Sequence, residues 1–324
     1  MENAQIDTLQ QAILYFSSPA NCLEYLAKKR WPDGVVKCPT CGSSSVSFLA
    51  KHLRWQCASH HERRQFSIKV GTIFEDSPIG LDKWLAAMWL ITNAKNGISS
   101  YEIHRALGVS QKTAWFMLHR IRLSHHEKPV NKLSGQIEAD ETFIGGKARN
   151  MHSNVRARRV TGTGGKDKTA VMGILERGGK GRSRVRVKVV PTTKKKALQS
   201  ELREHVLAGS AIFTDALASY QGLDEFQHEV IDHAVAYVNG ECHTNGLENF
   251  WSLLKRALKG TYVSVEPFHL FRYLDEQMFR YNNRRDMNDW DRFDMAVSGI
   301  VGRRIMYKEL TGKTGQMAAE TCPF

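Results

Sequence analysis

The segment Gly135-Gln-Ile-Glu-Ala-Asp-Glu-Thr-Phe-Ile-Gly-Gly146 alternates between apolar and acidic residues before it ends in a glycine pair. A period of two marks a strand, whose side chains point to opposite faces in turn. Ile137, Ala139 and Glu141 then share one face, and Glu138 and Asp140 share the other. Two later segments also end or begin an element on an acid. Ala211-Ile-Phe-Thr-Asp-Ala-Leu217 reads as a short buried strand that delivers Asp215. His243-Thr-Asn-Gly-Leu-Glu-Asn-Phe-Trp-Ser-Leu-Leu-Lys-Arg256 reads as an amphipathic helix that carries Glu248. The intervals between the three acids are 75 and 33 residues. Hard oxygen ligands of this kind suit Mg²⁺ or Mn²⁺. Two such ions would clamp the attacking and leaving oxygens of a phosphodiester displacement.

Outward from these segments, Thr169 to Leu175 and Arg182 to Val190 predict further strands, and residues 192 to 208 predict a helix. Glu229 to Ile231 suggests another strand, and a helix spans about Phe268 to Asn282. Strands interleaved with helices imply an α/β core covered on both faces. The strand from Arg182 alternates Arg182, Arg184, Arg186 and Lys188 with Ser183, Val185, Val187 and Val189. One face is therefore apolar and the other a row of cations suited to phosphate, though a solvated strand face is the plain alternative. Between Lys147 and Lys196 there are 16 Lys and Arg against Asp167 and Glu176, so this segment holds about the whole of the chain's +13. Charge concentrated in one segment points to a polyanion footprint.

Upstream the texture differs. Residues 1 to 34 form a helical lead with Ile13, Phe16, Cys22, Leu23 and Leu26 loosely periodic. Cys38-Pro-Thr-Cys41 and Cys57-Ala-Ser-His60 give two knuckles separated by a hairpin-length insert. Cys38, Cys41, Cys57 and His60 can enclose one structural Zn²⁺, with His61 as the alternative fourth ligand. The six cysteines are too few and too uneven for a disulfide scaffold. Leu81, Trp84, Leu85, Met88, Trp89 and Ile91 predict an apolar helix. Beyond it, Ser99 or Ser100 can cap a short helix, Leu107-Gly-Val109 can turn, and Ser110 can cap a second helix to Arg122. That is a helix-turn-helix layout, with Gln111, Lys112 and Thr113 as groove-facing candidates. A packing hairpin is the bland alternative.

Glu248 has a local rival explanation. Asn245 can cap the helix and Glu248 then completes a capping box three residues on. Against that, Lys255 lies about two turns further along nearly the same face, so a metal-binding carboxylate and a phosphate-binding ammonium would stand in line. No apolar run approaches the length of a membrane helix, and the opening residues lack a secretory pattern, so a cytoplasmic protein is expected.

The chain resembles bacterial insertion-sequence DDE transposases with an N-terminal zinc ribbon, the ISXO-type group related to Merlin elements. The resemblance rests on residues 38–42, 71–77, 138–147, 213–216, 243–256, 260–262 and 279–285 and covers about residues 20 to 290. It implies an RNase H-like catalytic core, a mixed sheet flanked by helices, preceded by the zinc ribbon and the helix-turn-helix. It implies Asp140, Asp215 and Glu248 as ligands of two Mg²⁺ or Mn²⁺ ions, with Asn245 and Asn249 open as alternatives for the third. Many members of the group have Cys where His60 stands. The expected organisation is a helical lead at 1–34, a zinc ribbon at 35–78, a helix-turn-helix at 79–128, a catalytic domain at 133–290 and a tail at 291–324. Expected partners are double-stranded DNA, as terminal inverted repeats and target, and a second copy of the chain in a homodimer or larger complex. A bacterial, nucleoid-associated location follows. A DNA-binding regulator derived from such an enzyme, and a structure-selective RNase H-type nuclease, are the competing readings.

Overall fold

The computed structural model describes residues 6–126, 131–145, 152–154, 157, 168–179, 182–215, 217–231 and 244–312. The chain divides into two compact units, one formed by residues 1–126 with 286–324 and the other by residues 127–285. Among the described residues no helix is long and apolar enough to cross a membrane.

The first unit begins with α1 (Leu9–Phe16), held at its start by a capping box between Thr8 and Gln11, and α2 (Pro19–Arg30), which opens on proline at its first turn. A three-stranded antiparallel sheet follows: β1 (Val46–Leu49), β2 (Arg54–Cys57) and β3 (Gln65–Phe66). The register Val46↔Cys57 and Trp55↔Phe66 stacks Trp55 on Phe66, with Trp31 edge-on beside it. Leu53 takes a left-handed conformation in the turn between β1 and β2. Then come α3 (Leu81–Asn93), α4 (Ser100–Leu107) and α5 (Gln111–His125). Ser99 caps α4 with Glu102 as its box partner, Gly108 ends it at φ +60°, and Ser110 caps α5. These are the serine caps and the Leu107-Gly-Val109 turn expected from sequence. A late helix, Asp289–Ser298, packs back on α3, where Trp290 and Phe293 join Phe16, Tyr25 and Trp89 in one aromatic cluster.

The second unit is built on a five-stranded mixed sheet. Its strands are β4 (Gln136–Ile144), β5 (Thr169–Glu176), β6 (Arg184–Val190), β7 (Ala211–Asp215) and β8 (Gln227–Ile231), in the spatial order β6-β5-β4-β7-β8. β4, β5 and β6 run antiparallel in sequence, whereas β7 and β8 run parallel to β4. α6 (Lys195–His205) links β6 to β7 and covers one face, where Ile137, Ala139, Met172, Leu198, Leu202 and Ile212 form a buried cluster. α7 (Asn245–Arg256) and α8 (Leu270–Asn282) cover the other, with Val171, Leu175, Val187, Leu247, Phe250 and Leu254 in its core. Burying side chains of this size contributes roughly 1.5–3 kcal/mol each. The result is the expected RNase H-like core. Both sheet faces are sealed by apolar side chains, so a polar group on either face needs a partner.

Candidate functional site

Three elements deliver the acids. In the parallel pairing of β4 with β7, Glu138 lies opposite Phe213 and Ala139 opposite Thr214. Asp140 and Asp215 are the next residues on each strand, on neighbours about 4.8 Å apart. Strand parity is as the sequence suggested: Ile137 and Ala139 belong to the α6 face, while Glu138 and Asp140 contact α7. Glu248 is exposed in the first turn of α7, where the helix dipole favours an anion. Asn245 does not cap that helix. The cap position is Thr244, no side chain of the helix's own caps it, and Asn245 is already its first residue. The capping-box explanation of Glu248 therefore falls.

The electrostatics tie the three together. Burial raises the pKa of Asp140, and the charges of Asp215 and Glu248 raise it further, against the opposing pull of its hydrogen bonds. Glu141 is pushed up to about 8 by burial and then by Asp140 and Asp215, and its carboxylate accepts the hydroxyl of the fully buried Tyr220. Asp140 thus lies in the field of two further acids, the setting in which a cation is favoured. The oxygens of Asp140, Asp215 and Glu248 do not all lie within 4.8 Å of one another.

Trp251 follows Glu248 by three residues and so lies beside it on the helix surface. Its indole N–H donates to Asp140 Oδ2 at 2.9 Å, and the backbone N–H of Glu141 donates to Oδ1 at 2.8 Å. Both oxygens are thus aimed before any ligand arrives. Gly173 makes this possible: it lies opposite Asp140 on β5, and a Cβ there would sit 2.6 Å from the Trp251 ring. The only sequence signal was a glycine inside an otherwise apolar strand. Lys255 is exposed in the last turn of α7.

The expected cationic row on β6 divides in two. Lys188 pairs with Glu201 of α6 at 2.8 Å, and Arg186 donates to the carbonyls of His205 and Asn131. Arg182 and Arg184 are exposed. Most of the basic segment from 147 to 167 lies outside the described residues. On α5, Gln111 donates to Ser100 at 2.9 Å and Thr113 is bound to the Ser110 cap. Lys112 is exposed and lies 4.8 Å over the ring of Tyr307.

The first unit gathers Cys38, Cys41, Cys57 and His61, with all four ligand atoms within 4.8 Å of one another. The fourth member is the alternative, not His60, which is exposed. The bend at Ala58 and Ser59 carries the chain outward, and it returns only at His61, whose Nε2 is 3.4 Å from Cys38 Sγ. The Sγ atoms of Cys41 and Cys57 are 3.6 Å apart. A tetrahedron with Zn–S bonds of about 2.3 Å has edges of about 3.8 Å, so the quartet fits zinc. Burial pushes the Cys57 thiol up, but hydrogen bonds from His61, Ser59 and Cys41 outweigh it and hold it at about 6, close to the thiolate that zinc requires.

Comparison with known proteins gives the following. Residues 132–282 match the ISXO2-like transposase domain, and residues 17–62 match a transposase zinc-ribbon domain. An uncharacterised protein of the transposable element ISH50 from Halobacterium salinarum is 30% identical over 256 residues, covering 75% of this chain and 84% of that protein. An uncharacterised transposase-like protein from Haemophilus influenzae is 35% identical over 97 residues, 29% of this chain and 78% of its own length. Among solved structures, a chain from the complex of the simian T-cell lymphotropic virus intasome with PP2A regulatory subunit B56 gamma aligns over 60% of this chain and 70% of its own, at 10% identity and a TM-score of 0.29.

Proposed function

The chain belongs to the ISXO2-like DDE transposase family with an N-terminal zinc ribbon, and from that premise we propose that it binds the ends of its element and carries out metal-dependent strand cleavage and strand transfer. The observation that carries this reading is the coupling at Asp140: the charges of Asp215 and Glu248, delivered by a neighbouring strand and a helix, both oppose its ionisation. Asp140, Asp215 and Glu248 would hold two Mg²⁺ or Mn²⁺ ions. When bound, these supply the Lewis acidity that polarises a phosphodiester and lowers the pKa of an attacking oxygen.

The chain's own residues do the rest. Trp251 and the Glu141 N–H fix the orientation of Asp140. Lys255 neutralises a strand phosphate beside Glu248, and exposed Arg182 and Arg184 contact DNA apart from it, Arg184 from the α6 face of the sheet. Cleavage at the element end frees a 3′-hydroxyl, which then attacks target DNA without a covalent protein intermediate. The helix-turn-helix reads the terminal repeats, with exposed Lys112 as its phosphate contact. Zinc in the Cys38, Cys41, Cys57 and His61 quartet holds the ribbon folded. Cutting two ends together requires at least two copies of the chain.

The test is strand cleavage and joining with a duplex carrying the element's terminal sequence and Mg²⁺. Wild type is expected to give nicked and joined products, and Asp215→Asn to lose them by on the order of 10³-fold or more. Full activity in Asp215→Asn refutes the assignment, and cleavage of RNA–DNA hybrids without end preference would favour the nuclease reading.

A further inference from the structure

Asp140 and Asp215 are held relative to each other by a backbone ladder, but Glu248 is not. It sits on a helix packed against the sheet through apolar side chains. Apolar contact is non-directional, so it sets how close α7 comes but not where α7 lies along β4. A directional contact has to supply that register.

Glu138 supplies one. It is 1% exposed, two residues before Asp140 on the same strand face. Its Oε2 accepts the backbone N–H of Leu247 at 2.9 Å, in the first turn of a helix that has no side-chain cap of its own. Its Oε1 accepts Arg177 Nε at 2.8 Å. Arg177 follows β5, donates its backbone N–H to Gln136 at 2.9 Å, and stacks its guanidinium 4.3 Å from the ring of Phe213. Phe213 is the register partner of Glu138 and lies two residues before Asp215. One ion pair therefore touches each segment that presents an acid: β4 two residues before Asp140, β7 two residues before Asp215, and α7 one residue before Glu248.

The spacing is matched as well. Glu138 and Asp140 are separated by about 6.7 Å along a strand. Their helix partners, Leu247 and Trp251, are separated by about 6 Å along α7. Helix and strand thus interlock at two points that bracket Glu248. Only one of those points, Glu138, is not itself an expected metal ligand. Gly246 lets the helix come this close, because a Cβ there would lie 2.8 Å from Glu138 Oε2. A buried ion pair adds little net stability over an apolar substitute, so a register role accounts for it better than a stability role does.

We propose that Glu138, clamped by Arg177, is a positioning residue that fixes Glu248 in register with Asp140 and Asp215. The proposal rests on the two-metal reading, and the experiment separates the two. Full-length protein is titrated with Mn²⁺ alone, free ion being followed by electron paramagnetic resonance, for wild type, Asp140→Asn, Glu138→Gln and Gly246→Ala. Melting temperatures are taken in parallel. Glu138→Gln removes the charge that holds Arg177, and Gly246→Ala presses the helix off Glu138 while leaving every charge in place, so it carries the test if the first variant does not fold. Variants that the melting curves show to be folded at the assay temperature are expected to bind Mn²⁺ about 10–100-fold more weakly and to recover cleavage at raised metal; because metal also rescues a partly unfolded chain by mass action, only those variants are scored. Wild-type affinity in both variants, with binding lost in Asp140→Asn, overturns the positioning role alone. Equal uptake by wild type and Asp140→Asn overturns the carboxylate site and the positioning role together.

Discussion

The zinc-ribbon quartet and the acidic site gather ligands in opposite ways. Cys38, Cys41, Cys57 and His61 bring their ligand atoms within 4.8 Å of one another, and Asp140, Asp215 and Glu248 do not. The thiols and imidazole stand 3.4–3.6 Å apart, the separations of a zinc tetrahedron's edges. The carboxylates repel, and are held near one another by a strand ladder and a docked helix. A closed tetrahedron leaves no open position, which suits a structural ion. Acids drawn from two strands and a helix, with Glu248 exposed, form an open set.

Three perturbations break or sharpen that contrast. The largest concerns the quartet. Structural zinc in small domains contributes about 10–16 kcal/mol of apparent binding energy to folding. His61→Ala is expected to purify with less than one zinc per chain and with a ribbon open to proteolysis, whereas His60→Ala retains both zinc and protection. Zinc analysis and limited proteolysis check this, and the reverse pattern would undo the tight half of the comparison.

The second perturbation concerns crowding among the acids. Glu141 keeps its proton up to about 8 in the folded chain, against 4.5 for an ordinary Glu. The unfolded chain loses that proton first. Stability therefore falls as pH rises through that window, by about 1.4 kcal/mol per pH unit at its steepest. Glu141→Gln lacks this loss. Without divalent ions, wild type should melt progressively below the variant as pH climbs from 4.5 toward about 8, and Mg²⁺ should narrow the gap. Parallel melting curves would remove repulsion from the account.

The smallest effect is steric. Gly173→Ala drives a Cβ into Trp251 and Leu247, which should cost about 1–3 kcal/mol as overpacking and turn the indole away from Asp140. Gly179→Ala meets nothing within 4 Å and serves as the neutral control. Denaturant midpoints distinguish them, and equal midpoints would mean that α7 is not seated tightly on β5.

Much of this was legible in the sequence because it is periodic or local. Strand parity placed Glu138 and Asp140 together, and the serine caps and Gly108 of α4 and α5 follow from short-range hydrogen bonding. What pattern cannot convey is the partner. Arg186 and Lys188 read as a cationic row, yet α6 supplies acceptors for both and Asn131, ahead of β4, a further one for Arg186. Asn245 had the right chemistry for a cap, but the cap of α7 comes from Glu138, more than a hundred residues away. His60 and His61 differ by one step in a bend, and spacing alone does not resolve that step. Trp251 and Gly173 matter only as a pair across two elements.

Asp140, Asp215 and Glu248 are proposed to share two divalent cations. Crystals of the full chain soaked in Mn²⁺ and measured at the manganese absorption edge test it directly. The account predicts two anomalous peaks about 3.5–4 Å apart, bounded by oxygens of those three residues. Peaks elsewhere, or none among these carboxylates at saturating Mn²⁺, would contradict it.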